Sequence, residues 1–231
     1  QQSILFTGTL RENITYGSES ISEEQLWNVI RAANLEEVVQ KLPDGLDTMI
    51  TEHGENLSGG QRQRVAIARA VIMEPELLIA DEPITSLDVS IQAQILNLIR
   101  ELQNELGLTS LFVGHGLGAV RYVSDRIAVM YLGKIVEIAD AGEVFMHPVH
   151  PYTKALTQAA PVADPGRREE KSAVLTGEVA SAVHPPKGCR FHPRCPYARE
   201  DCSVSEPMLL PMAEKPDHLV ACPYYEGTET A

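Results

Sequence analysis

Two adjacent carboxylates, Asp81 and Glu82, close the apolar run Leu77-Leu78-Ile79-Ala80. A strand that delivers two acids together at its C-terminal end is costly unless they act on something. The chemistry within their reach is that of phosphates. Asp81 is placed to hold Mg2+, directly or through water, and Glu82 to orient and polarise an attacking water. Some twenty residues upstream, Leu57-Ser58-Gly59-Gly60-Gln61 leads into Arg62-Gln63-Arg64. Two glycines let backbone approach a ligand closely, and the free N–H groups of a helix start make an anion site. Each segment alone also has a plain reading, a Gly-Gly helix cap and a solvated acidic pair. Further along stand Ser86-Leu87-Asp88 and, just past the next apolar run, His115. An imidazole there could meet a terminal phosphate.

The elements that must position these groups read as alternating helix and strand. Ser22 and Gln25 fit a capping box for a helix over 22–33, with Leu26, Val29, Ile30 and Ala33 on one face. After a Pro43-Asp44-Gly45 turn, a second helix runs from Gln61 to Met73, with Val65, Ala68, Ile72 and Met73 at helical spacing. Leu77–Ala80, bounded by Pro75 and Pro83, suits a buried parallel strand. A long amphipathic helix spans 90–106 and stops at Gly107. Residues 110–113 form the next strand and 117–123 a short helix. Residues 127–130 and 134–138 form a hairpin through Leu132-Gly133. Strand, helix, strand with buried runs indicates an α/β fold with a parallel sheet.

Of the 231 residues, 19 are Lys or Arg and 32 Asp or Glu, a formal charge of −13 that argues against a nucleic-acid surface. An apolar content of 44% is ordinary for a globular chain. No apolar run approaches the ~20 residues that span a bilayer, and no signal peptide is visible. Only 3 of the 15 prolines fall in residues 1–147, whereas all four cysteines lie beyond, at Cys189, Cys195, Cys202 and Cys222. A domain boundary is therefore expected near His147–Pro151. The tail beyond it is proline-rich and short of core, and needs some other device to hold it.

The signature Leu57–Gln61, the strand ending in Asp81-Glu82, the Ser86-Leu87-Asp88 turn and His115, together and in this order, resemble an ATP-binding-cassette (ABC) ATPase. The resemblance implies a P-loop NTPase fold and two nucleotide-binding domains sandwiching two ATP molecules with Mg2+. Ser58, Gly59 and Gly60 would clasp the γ-phosphate bound to the opposite subunit, with Leu57, Gln61, Asp81 and Asp88 also at the nucleotide. Glu82 would be the catalytic base and His115 the switch histidine. Gln1 matches the Q-loop glutamine, which joins the metal site to the membrane partner. Three features depart from the pattern. No G-x-x-x-x-G-K-[ST] is present, so that loop and the aromatic that stacks on adenine are expected upstream of Gln1. The chain is accordingly expected to be a fragment without ATP turnover of its own. The usual Ser/Thr-His-Asp reads Gly114-His115-Gly116, with Gly118 beyond, which loosens His115. Ile84 is bulkier than the pattern calls for.

Residues 1–57, with Leu5-Phe6-Thr7-Gly8-Thr9-Leu10-Arg11-Glu12-Asn13-Ile14, resemble an exporter-type cassette in which 48–54 senses the partner's membrane helices, with His53 where Arg is usual. From about Val65 onward the chain resembles the ATPases of oligopeptide and dipeptide importers. The stretches that carry this are 88–96, 124–134, His150-Pro151-Tyr152-Thr153 and the cysteine tail. Recombination, the joining of two sequences, or a natural hybrid would each read this way. The expected organisation is a partial nucleotide-binding domain over 1–147, divided at 75/76, and a loop-rich extension over 148–231. The resemblance implies peptide import from the cytoplasmic face of the membrane, with two permease subunits, a second ATPase, a substrate-binding protein and no nucleic acid. An exporter ATPase for lipids or drugs, a soluble ABC ATPase of DNA repair or translation, and a non-catalytic fragment are the rival readings. The acidic chain lacks the coiled coils or basic arms that the soluble type needs.

The cysteine spacing is C-x5-C-x6-C-x19-C. Disulfides suit four cysteines in general, but an ATPase facing cytosolic ATP keeps its thiols reduced. Zinc usually prefers C-x2-C knuckles, absent here, although His192 is available as a ligand. Four thiolates followed by proline at Cys195-Pro196 and Cys222-Pro223 also suit an iron–sulfur cluster. The importer resemblance, carried by Gly188-Cys189-Arg190-Phe191-His192-Pro193-Arg194-Cys195, implies a 4Fe–4S cluster. His147, His150 and His184 read as surface or packing residues.

Overall fold

Thr9 and Ser22 start the first two helices in the same way. Each side chain accepts the backbone N–H three residues on, and the residue there, Glu12 or Gln25, accepts the N–H of its cap in return. The computed structural model describes residues 4–16, 18, 20–159 and 180–224. Two units are distinguished within it, 1–123 and 124–231. The first contains β1 (Gly8–Thr9), α1 (Leu10–Thr15), α2 (Glu23–Ala32), α3 (Glu36–Lys41), β2 (Met49–Ile50), α4 (Gly59–Val71), β3 (Leu77–Asp81), α5 (Val89–Leu106), β4 (Thr109–Val113) and α6 (Leu117–Val123). β1 pairs antiparallel with β2, and β3 parallel with β4.

Two apolar cores serve this unit. Leu10, Ile14, Leu26, Ile30, Ile50 and Val65 join α1–α4, and Ile67, Val71, Ile95, Leu98, Ile99 and Leu102 join α4 to α5. The helix periods read from sequence are present, with α4 beginning two residues earlier than expected. Met73 departs from expectation, lying beyond the helix and 65% exposed. The strand at 77–81 is parallel as expected, yet buried on one face only. Leu78 packs inward while Leu77 and Ile79 are 51% and 62% exposed. An alternating exposure runs through β4 as well, so Leu111 and Val113 share the open face with Ile79 and Asp81. A continuous apolar run does not by itself say that both faces of a strand are covered.

The second unit contains β5 (Arg126–Tyr131), β6 (Lys134–Asp140), α7 (Ala141–Met146), α8 (Pro151–Gln158), β7 (Leu210–Pro211) and β8 (Leu219–Val220). Its sheet has the order β5-β6-β8-β7, antiparallel throughout. Leu132 and Gly133, at φ 45° and 79°, turn the hairpin. The compact division thus falls at 123/124, ahead of the expected 147/148. The reason is pairing: the hairpin at 126–140 takes its third strand from residues 219–220, so it shares a sheet with the cysteine segment. The interior here is aromatic, with Phe191 packed against Tyr131, Tyr152 and His150.

Asn13, wholly buried, holds the loop ahead of α1 to α4. Its Nδ2 donates to the carbonyls of Phe6 (2.9 Å) and Thr9 (3.1 Å), and its Oδ1 accepts from Phe6 N (3.2 Å) and Arg69 Nη2 (2.8 Å). Arg69 also donates to the carbonyls of Ile4 and Asn13 and lies 4.8 Å over the Phe6 ring. Removing the amide strands several buried polar groups. Asn13→Ala is expected to lower the unfolding free energy of residues 1–123 by about 2–3 kcal/mol, read from urea denaturation.

Candidate functional site

The signature segment is a helix start built by its own residues. Ser58 Oγ accepts Gln61 N (3.3 Å) and Gln61 Oε1 accepts Ser58 N (2.8 Å), so the pair forms a capping box at the head of α4. Leu57 is buried, and Arg62 donates to the carbonyls of Gly54 and Leu57, which fastens the incoming loop to the helix. Gly59 and Gly60 face the next functional segment at close range. A Cβ on Gly59 would stand 3.1 Å from Leu87 Cδ2, and one on Gly60 would stand 2.7 Å from Ile91 Cγ2.

That next segment is the turn between β3 and α5. Asp88 caps α5, its Oδ1 accepting Ile91 N at 3.0 Å. Gln92 donates to the carbonyls of Ile84 (3.1 Å) and Leu87 (2.9 Å), fixing the turn from the helix side. Ile84, unexpectedly bulky in sequence, packs on the α4–α5 core together with Leu87 and Ile91. The capping role of Asp88 follows from its type and place, but nothing in the sequence singles out Gln92.

Glu82 follows β3 with its backbone in the left-handed region, at φ 46°. That conformation is uncommon outside glycine and turns the carboxyl out of the strand direction. Glu82 N donates to Val113 O (2.9 Å), which ties the bend to the end of β4. Thr85 Oγ1 donates to Glu82 Oε2 (3.2 Å), and His115 Nδ1 lies 3.4 Å from Glu82 Oε1. The carboxylate and the imidazole, thirty-three positions apart in the chain, are thus neighbours. A cavity of about 220 Å³ opens beside them, bounded by Gln63 and Ala66 of α4, Asp81, Glu82, Ser86 and Ile99 of α5. Gly116 and Gly118 are not held to glycine by crowding, since a Cβ on either meets nothing nearer than Ala119 Cβ at 3.8 Å. Gln1 lies outside the described residues.

In the second unit the four cysteines, all free, line one cavity of about 100 Å³ with His150 and His192. Three come from one knuckle. Cys189 N donates to Cys202 O (2.8 Å), and Cys195 N to His192 O (3.2 Å). Gly188, at φ 67°, is required there, because a Cβ would stand 2.4 Å from Cys202 O. Cys222 arrives separately, two residues past β8. Cys202 Sγ accepts the backbone N–H of Arg199 at 3.5 Å. Burial pushes the Cys189 and Cys222 thiols up and Cys195 to about 11. Burial also holds His150 down at about 4, so it is neutral at pH 7. Its Nδ1 accepts Tyr152 N at 3.1 Å, which caps α8 and leaves the proton on Nε2. Among the described residues, no group of three or more His, Cys, Asp or Glu side chains is gathered tightly enough for a single metal ion.

A parallel strand pair ends in the Asp-Glu step, and a Gly-Gly helix start packs on the following turn, as the resemblance to an ABC-type ATPase domain of the P-loop NTPase class implies. The comparisons agree. Residues 1–85 match the ABC transporter family and residues 136–202 the oligopeptide/dipeptide transporter C-terminal region. The chain belongs to the ATP-binding proteins of ABC transporters, with a C-terminal region of the oligopeptide/dipeptide type. It is 49% identical over 165 residues to an oligopeptide transport ATP-binding protein of Salmonella typhimurium, covering 71% of this chain and 49% of that protein. It is 48% identical over 181 residues to a Bacillus subtilis protein assigned by name to the same group, covering 78% and 54%. A solved structure, a bacterial Atm1-family ABC exporter with ATP bound, matches at a TM-score of 0.55 and 31% identity, covering 63% of this chain and 25% of that one. The chain thus spans about half the length of the curated relatives it matches. Among the described residues, no helix is long and apolar enough to cross a membrane.

The contact of Gly60 with Ile91 makes a sharp test of how the two helix starts depend on each other. Gly60→Ala is expected to cost about 1–3 kcal/mol by overpacking. Adding Ile91→Ala should return about 1 kcal/mol of coupling in a double-mutant cycle measured by urea denaturation.

Proposed function

We propose that this chain is part of an ATPase subunit that powers peptide import, and that Glu82 is its catalytic base. The observation that carries the reading is the Glu82–His115 pair at the C-terminal ends of the two parallel strands. There, Glu82 accepts a proton from the attacking water, one carboxylate oxygen steadied by Thr85 and the other beside His115. His115 faces the terminal phosphate from the β4 side. Asp81, exposed at the last position of β3, has the donor chemistry Mg2+ takes. Mg2+ there would neutralise charge on the phosphates. Ser58, Gly59 and Gly60 serve the nucleotide of the opposite subunit, which suits their packing against the 87–91 segment rather than against Glu82. Gln1, Leu57, Gln61 and Asp88 complete the set, with Asp88 acting through the turn it caps.

The match of residues 136–202 to a peptide-type C-terminal region favours import over export. Partners in this reading are two membrane permeases, a second ATPase and a substrate-binding protein, with the ATPase peripheral on the cytoplasmic face. In the full-length protein, Glu82→Gln is expected to lower ATP turnover by about 10²–10⁴-fold, with nucleotide binding retained. The 231-residue chain alone, without a G-x-x-x-x-G-K-[ST] loop, is expected to turn over no ATP. Turnover by that chain, lost on Glu82→Gln, would overturn this last point.

We also infer that the cysteine cavity holds a 4Fe–4S cluster. Four thiols around one cavity fit such a group, and the N–H that Arg199 gives Cys202 is of the kind that offsets the charge of metal-bound sulfur. A cluster would crosslink a tail that has little apolar core of its own. Iron and zinc analysis of the anaerobically purified chain should return about four irons per chain, the cluster's own stoichiometry. Stoichiometric zinc without iron would defeat the reading.

A further inference from the structure

The most deeply buried carboxylate of the second unit has no part in phosphate chemistry. Glu137, in the middle of β6, is fully buried, and both of its oxygens are used. Oε1 accepts Val149 N (3.0 Å) and His218 Nε2 (2.7 Å), and Oε2 accepts His150 N (2.8 Å). One side chain thereby joins three stretches: β6, the head of α8, and the residue that enters β8. Two of those stretches are walls of the cysteine cavity. His150 and Pro151 form one side, and Ala221, Cys222 and Pro223 leave β8 to form another. The backbone carries the same link, since Glu137 lies opposite Val220 in the sheet and Ala221 N donates to Val136 O at 2.8 Å.

The cavity therefore has two kinds of wall. Cys189, Cys195 and Cys202 sit in a knuckle that closes on itself through its own turns. Cys222 stands outside those turns, on the stretch that leaves β8, with Tyr224 beyond it bonded to Asp201 and under Arg199. It is brought to the cavity by a two-residue strand, which is short for an isolated pairing. The buried Glu137–His218 contact pins that strand at its start.

We propose that Glu137, acting with His218, is the positioning residue of the four-cysteine site, and that its task is to deliver Cys222. The importance of the site rests on the metal reading above; the latch itself is a matter of geometry. A glutamine at 137 would keep the shape but turn an NH2 toward a backbone N–H or toward His218. One of the three contacts must then fail. His218→Ala removes only the tether to β8 and leaves Val149 and His150 bonded to the carboxylate.

The test is site-resolved alkylation of the full chain with iodoacetamide under chelator, read by mass spectrometry. In Glu137→Gln and in His218→Ala, Cys222 is expected to react about tenfold faster than in the wild type, with the other three cysteines within about twofold. An unchanged Cys222 in both variants would overturn the proposal. So would an equal rise at all four cysteines, which marks general loss of fold rather than release of one strand. Metal content of the unchelated wild type is measured alongside. A wild type free of iron and zinc defeats the cofactor reading alone, while the alkylation pattern decides the latch.

Discussion

The approach of α4 to α5 is set by atoms that are missing. Gly59 and Gly60 have no Cβ, so the head of α4 lies against Leu87 and Ile91 at a distance where a Cβ would crowd both. Both helices begin here, α4 capped by Ser58 and α5 by Asp88, and the turn between β3 and α5 is held between them. Gln92 then ties that turn to α5 by two hydrogen bonds. The position of Glu82 depends on this arrangement, because its bend is fixed at one end by Val113 and at the other by Thr85 within the same turn. Gly60 and Glu82, the proposed catalytic base, are twenty-two residues apart in sequence yet both adjoin this one turn.

The second unit solves a different problem. It has few large aliphatic side chains and a tail rich in proline, so packing alone gives it little cohesion. Its order comes from an aromatic centre around Phe191, from the knuckle that Gly188 permits, and from a buried carboxylate with three donors. A buried carboxylate is tolerable when both of its oxygens meet donors. Here the three donors belong to three segments, so satisfying the charge also assembles the unit.

Much of this was legible beforehand. The helix periods at 23–32, 59–71 and 89–106, the Ser22–Gln25 box, the Leu132-Gly133 turn and the stop at Gly107 each depend on residues within a few positions of one another. The Asp81-Glu82 step and the His115 position were recognisable through spacing. The short helix α1 escaped notice because its six residues carry too little periodicity, although Thr9 and Glu12 form a capping box. The Leu77–Ala80 run reads as a buried strand but is open on one face, since an apolar run is compatible with either state.

What the sequence by itself determined is the class of chemistry and the local elements that carry it, because caps, turns and apolar periods are written in short windows. What only the tertiary structure decided is which distant groups meet. His218 and Glu137 are eighty-one residues apart, and neither belongs to a pattern that would announce the other. The four cysteines were plain in the sequence, but three in a self-closed knuckle and one on a strand is a distinction of folding. Contacts of that kind arise from burying surfaces that no short window contains, so their physical cause is complete only when the chain has closed on itself.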